Sequence, residues 1–106
     1  MINISIIIIT KDNYPDLLFT LESITNFSKN NKVEILIIDS SANIDECIKS
    51  NIQNEFIFSK HIFEKRKGIS RAFNTGIEYA NGDWIFFLNS GDRLLNPNFN
   101  EQMLNN

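Results

Sequence analysis

The residues of this chain that could do chemistry stand at the ends of short apolar runs. The run Trp84 to Leu88 gives way to Asn89-Ser90-Gly91-Asp92, a small polar turn that ends in a carboxylate. Such a run is long enough for a buried strand and too short for a helix. A carboxylate delivered there can hold a hard divalent cation, and the cation can neutralise a diphosphate. Val33 to Ile38 stops in the same way at Asp39-Ser40-Ser41, and Ile4 to Ile9 at Thr10-Lys11-Asp12-Asn13. Thr10, Asp39 and Asp92 meet only if the three runs are parallel strands of one sheet, whose carboxyl edge is where open α/β sheets bind ligands.

Each candidate also has a plainer reading. Asp39 suits a turn or a helix cap after a strand, and Asn-Ser-Gly-Asp is good turn chemistry in its own right. The basic loop Lys65-Arg66-Lys67-Gly68 can contact diphosphate, contact an anionic membrane or simply be solvated. Asn74 can contact a nucleotide or cap a neighbouring strand. His61 is the single histidine and Cys47 the single cysteine, so a zinc cluster and an intrachain disulfide are both excluded. Cys47, Trp84 and the phenylalanines are assigned to the core.

The elements that must position these residues alternate. After the first strand, Pro15 suits the first turn of a helix whose apolar face is Leu17, Leu18, Leu21 and Ile24. Asn43 with Glu46 reads as a capping box opening a second helix, with Ile44, Cys47, Ile48 and Ile52 on one face. A third strand lies within Phe56 to Phe63. Ile69, Ala72, Phe73, Gly76, Ile77 and Ala80 recur near 3.6 residues and give a third helix, with Gly82 as its stop. Pro97 can open a short last helix containing Phe99 and Met103. Strands alternating with helices imply right-handed crossovers and a parallel sheet.

Composition bounds the rest. With 106 residues the chain is one domain, and 42% hydrophobic residues make it a globular one. A net charge of −3, from 10 basic and 13 acidic residues, argues against nucleic acid as a partner. No run is long enough to span a bilayer, and the amino terminus lacks a signal-peptide pattern. The chain is therefore expected to be cytoplasmic, at the inner face of the membrane only through regions outside it.

Taken in order, these pieces resemble the nucleotide-binding half of the inverting GT-A glycosyltransferases of family 2. The resemblance runs from Ile4 to about Pro97. It rests on Ile4 to Thr10, on Val33 to Ser40, on Gly68-Ile69-Ser70 with Asn74-Thr75-Gly76-Ile77, and on Gly82-Asp83-Trp84 to Asp92. The stretch Phe63 to Ile69 with Ala72-Phe73-Asn74 looks most like the bacterial branch that builds surface polysaccharides. The resemblance implies a Rossmann-like four-stranded parallel sheet in the order 3-2-1-4, with helices on both faces. It implies a nucleotide-diphosphate sugar as ligand, UDP-linked, with Mg²⁺ or Mn²⁺. It places Thr10, Asp39, Ser40, Gly68, Asn74 and Asn89 on the nucleotide, Asp39 at the base, and Asp92 on the metal.

Departures from the family pattern are informative. Gly91 stands where an acidic residue often precedes the metal ligand, and Asn89 replaces another common Asp. Phe73 stands where many relatives have an Arg, and Arg71 lies roughly 200° around the helix from it. Only residues 93–106 follow Asp92, without a second half bearing an acceptor site and a catalytic base. The expected function is donor binding for transfer of a sugar to an acceptor hydroxyl in polysaccharide or glycan synthesis, with the short chain itself inactive. The alternative is a truncated remnant that binds nucleotide weakly or not at all. An unpaired edge on the fourth strand would favour self-association. A receiver-type signalling domain is excluded, because no Asp lies between Asn51 and Asn81.

Overall fold

The computed structural model describes residues 3–30, 32–55, 59–65 and 68–92. The last expected helix, from Pro97, lies outside these residues, as do Arg66, Lys67 and the start of the expected third strand at Phe56. Four strands and three helices alternate: β1 (Ile4–Thr10), α1 (Tyr14–Asn30), β2 (Val33–Asp39), α2 (Glu46–Glu55), β3 (Ser59–Phe63), α3 (Ile69–Tyr79) and β4 (Trp84–Asn89). The sheet is parallel in the order β3-β2-β1-β4, as expected.

β1 and β2 are continuous runs of Ile, Val and Leu because they are the inner strands and both their faces are covered. On one face Ile4, Ile6, Ile8, Val33, Ile35 and Ile37 meet Leu17, Leu21 and Ile24 of α1 and Ile52 of α2. On the other, Ile7, Leu36 and Ile38 meet Ala72 of α3, with Phe73 and Ala80 alongside. Full burial of one such Leu or Ile is worth about 2 kcal/mol, and Leu17, Leu21 and Ile24 are the fully buried residues by which α1 is held on the sheet. Register is straight: Thr10 lies beside Asp39, Asp39 beside Phe63, and Asn89 beside Ile9. The strand ends therefore form one row.

Three local readings need correction. The cap of α2 is Asp45, whose Oδ1 accepts from the Ile48 amide at 3.1 Å. Asn43 lies before the helix, where its amide donates to Asp12 Oδ1 at 3.1 Å. Cys47 is exposed, since α2 turns Ile52 inward and Cys47 outward. Trp84 and Phe87 are 45% and 46% exposed, because β4 is an edge strand with β1 as its only described neighbour. An apolar alphabet does not say which strand is the last.

Gly82 also has a different role from the one expected. α3 stops at Ala80, in extended conformation. A Cβ on Gly82 would lie 2.7 Å from the Ser5 amide nitrogen, so glycine lets the loop before β4 press onto the backbone of β1.

Candidate nucleotide-binding site

Two adjoining clefts open at the carboxyl edge of the sheet. The first, about 370 Å³, lies over β1 and β4, where the strand order reverses. Thr10, Ser40, Gly68, Asn89 and Ser90 line it. The second, about 500 Å³, lies over β2 and β3 and is lined by Asp39, Ser41, Ile44, Phe63, Glu64 and Lys65 among others. Lys11, Ser40 and Gly68 line both. A crevice outside the strand ends at a reversal of strand order is the general ligand site of doubly wound sheets. Gly68 caps the start of α3, and with Ile69 it lines the first cleft, so a helix amino end, which favours an anion, lies beside it.

Two features of the first cleft follow from local chemistry. Thr10 is buried, and its Oγ1 has no hydrogen-bond partner. A buried hydroxyl without a partner is uncommon and marks a place where another molecule can supply one. Asn89 to Asp92 form a turn closed by the Asp92 amide donating to the Asn89 carbonyl at 2.9 Å. Gly91, at φ +99°, takes the third position, where a type II turn needs positive φ. This accounts for the glycine that departs from the family pattern. α1 holds the turn: Thr20 Oγ1 donates to the Asp92 carbonyl at 2.7 Å, and the Gly91 amide donates to Thr20 Oγ1 at 2.9 Å.

Asp92 itself is exposed, and its Oδ2 accepts from the Asn89 amide at 2.7 Å. Among the described residues no group of three His, Cys, Asp or Glu could cage a metal. One exposed carboxylate fits a Mg²⁺-like ion that takes its remaining ligands from substrate phosphates and water. Asp92 lines neither cleft but sits two residues beyond Ser90, which lines the first.

Asp39 is placed at the second cleft, but its side chain faces inward. Only 1% of the residue is exposed. Oδ2 accepts from Tyr14 Oη at 2.6 Å and lies 2.9 Å from His61 Nε2, while Oδ1 accepts from the Ser41 amide at 2.8 Å. Burial pushes the carboxyl pKa up, but hydrogen bonds from His61, Ser41 and Tyr14 outweigh it, lowering the value from 3.8 to about 2. An ionised carboxylate only accepts, so His61 Nε2 carries the proton. Burial and the neighbouring Asp39 charge push the Tyr14 phenol up. His61 in turn stacks on Phe63, with ring centroids 4.6 Å apart. Glu64 is likewise buried, accepting from Thr75 Oγ1 at 2.5 Å.

Asn74 is not brought to the site. It is exposed on α3 and lines neither cleft. Phe73, one residue before it, packs against Phe87 at 4.5 Å, and that contact sets which way this turn of the helix faces. Lys11 and Phe63 line the clefts and were not placed there by the sequence reading, and Tyr14 and His61, which line neither cleft, hold Asp39 from within. His61 and Phe63 could have been paired with Asp39 by strand parity, since 61, 63 and the in-register 39 share a face. Tyr14 carried no such signal.

A doubly wound parallel sheet with its cleft at the reversal point defines a Rossmann-like α/β domain of GT-A type. The chain belongs to Glycosyl transferase family 2, whose profile matches residues 5–106. It is 34% identical over 87 residues to a Bacillus subtilis (strain 168) protein named glycosyltransferase EpsH, a match covering 79% of this chain and 24% of that protein. The fold is shared with a mannosyltransferase, PcManGT from Pyrobaculum calidifontis, solved with GDP-Man and Mn²⁺ (TM-score 0.77, 18% identity, 91% of this chain and 29% of that one). It is shared too with S. aureus TarS 1-349 in complex with UDP-GlcNAc (TM-score 0.79, 17% identity, 98% and 30%). The chain thus spans about a quarter to a third of these relatives' lengths. Among its described residues no helix is long and apolar enough to cross a membrane.

Proposed function

We propose that the chain binds the donor of a glycosyl transfer, a nucleotide-diphosphate sugar, across the two joined clefts. The base lies over β2 and β3 and the diphosphate over β1 and β4. The observation that carries this reading is the convergence of Thr10, Ser40, Gly68 and Asn89 on one cleft at the reversal point. The partnerless Thr10 hydroxyl and the start of α3 suit a phosphate or ribose there. Asp39 acts on the base by holding the walls at Ser41 and at His61-Phe63. Asp92 is the protein ligand of a Mg²⁺ or Mn²⁺ ion, which when bound supplies positive charge to the leaving diphosphate. We take the donor to be UDP-linked and the pathway to be polysaccharide or glycan synthesis.

Asp39, the buried carboxylate of the second cleft, is a poor general base, since its pKa is lowered to about 2. A base useful near neutral pH needs a pKa close to the working pH. We therefore take the two clefts to be a donor site and expect no sugar transfer from Asp39 acting as base. Calorimetry of the purified chain with UDP-GlcNAc and GDP-mannose, with and without Mn²⁺, tests this. The expected result is binding of about 0.1–1 mM, tighter with Mn²⁺, and no sugar transfer to added acceptors. Absence of binding by either nucleotide sugar overturns the reading.

A further inference from the structure

We infer that Lys11 is a diphosphate-binding residue of this site, supplying in the protein a positive charge that the sparse Asn89–Asp92 turn leaves to the cation alone. The inference rests on the donor-site reading and goes beyond it. Lys11 follows the last residue of β1 and lines both clefts, so it stands where a ligand would pass from its base end to its phosphate end. Its ammonium makes no ion pair with any described residue, although Asp39 and Glu64 also line the second cleft. Those two carboxylates are already bonded to Tyr14, His61 and Ser41, and to Thr75. An unpaired cation over a cleft attracts an anion.

The backbone supports this placement. Asp12, the next residue, has φ +54°, a left-handed conformation that costs a non-glycine residue free energy. It is kept there by three hydrogen bonds to the loop after β2. The Asp12 amide donates to Ser41 Oγ at 2.7 Å, and Asp12 Oδ1 accepts from the Ala42 and Asn43 amides at 2.9 and 3.1 Å. Thr10, on the other side, carries the partnerless hydroxyl. Lys11 is thus presented between a tied left-handed residue and a buried hydroxyl without a partner, at the joint of the two clefts. The charge at the other end is small, since Asn89 and Gly91 leave Asp92 as the turn's single carboxylate.

Calorimetry of the full chain with uridine, UMP and UDP, each in EDTA and in Mn²⁺, tests the assignment, with guanosine, GMP and GDP run in parallel. For whichever series binds, K11Q should weaken the diphosphate in EDTA by about tenfold, as loss of a charge-assisted hydrogen bond does. It should weaken the nucleoside by less than about twofold. K11R should restore the diphosphate, and Mn²⁺ should narrow the gap between K11Q and wild type. Equal losses for nucleoside and diphosphate, or no loss for either, overturn the assignment of Lys11 while leaving the donor site standing. If wild type binds neither series, the donor-site reading falls and the inference falls with it.

Discussion

Strand β2 carries a buried carboxylate at each end, and the two are used differently. Glu34 and Asp39 are an odd number of residues apart, so they point to opposite faces of the sheet as well as to opposite edges. Glu34 accepts from Ser5 Oγ, from the Asn81 amide and from Asn81 Nδ2, and Ser5 Oγ accepts from the Gly82 amide at 2.8 Å. Burial raises its pKa and the bonds from Ser5 and Asn81 lower it more, for a net fall. Its hydrogen-bond donors belong to β1 and the loop before β4, so it ties these two segments together at the amino edge. Asp39 has two titratable side chains among its donors, Tyr14 and His61, and a cleft beside it. A buried carboxylate is thus not itself a sign of a site. What distinguishes the pair is the edge on which each stands: Glu34 ties the amino edge together, whereas Asp39 and its partner Ser41 line the second cleft at the carboxyl edge.

The largest effect expected from breaking this pair is at the amino edge. Glu34→Ala leaves the Ser5 hydroxyl and the Asn81 amide without their shared acceptor. It should cost about 3 kcal/mol in urea denaturation, with nucleotide affinity of the folded protein unchanged within about twofold. A large loss of affinity without a loss of stability would erase the distinction between the two ends.

Asp39→Asn should cost less, about 2 kcal/mol at neutral pH, and should lower nucleotide affinity by about tenfold. The pH dependence sharpens the test. The folded pKa lies below the unfolded one, so Asp39 contributes its full stabilisation above the unfolded value of about 4. That stabilisation is lost as pH falls through the window down to about 2. Urea midpoints measured across this window should therefore fall less in Asp39→Asn than in wild type. Glu34 titrates with the same sign, so Glu34→Gln is the matching control.

The smallest effect is that of Tyr14→Phe, which removes one of three donors to Asp39 and keeps the ring. About 1 kcal/mol is expected, with affinity nearly unchanged. Because the Tyr14 phenol is raised, its contribution is present below the unfolded value of about 10 and is lost above it. Wild-type stability should thus decline more steeply than that of Tyr14→Phe beyond about pH 10.

What was legible in the sequence follows from these contacts. β1 and β2 were visible because inner parallel strands are apolar on both faces. Thr10, Asp39 and Asp92 were expected together because parallel strands put their carboxyl ends on one edge, and Ser40 and Asn89 came from the family resemblance. Asp39 was legible as a residue at that edge but not as a residue turned inward. Its partners come from α1 and β3, positions 14 and 61, and only tertiary packing joins them. Asn74 was misplaced because a helix's period tells which residues share a face, not which way a polar turn between two faces will look. Trp84 and Cys47 were misread for a related reason: composition marks what can be buried, while burial depends on which neighbours exist.

α1 has one more consequence. Its first residue, Tyr14, holds Asp39 at the second cleft, and within the next two turns Asp16 and Thr20 hold the Asn89–Asp92 turn beside the first. These anchors span about 9 Å along a single rigid rod, at 1.5 Å per residue. The separation between the two ends of the clefts is therefore set by the pitch of a helix rather than by loops. Local opening at either end has to work against the same packed segment, which couples the two in one cooperative unit. In hydrogen exchange, the amides of Ser41 and Gly91 should gain protection together when a ligand seats at either end, although they lie on different loops.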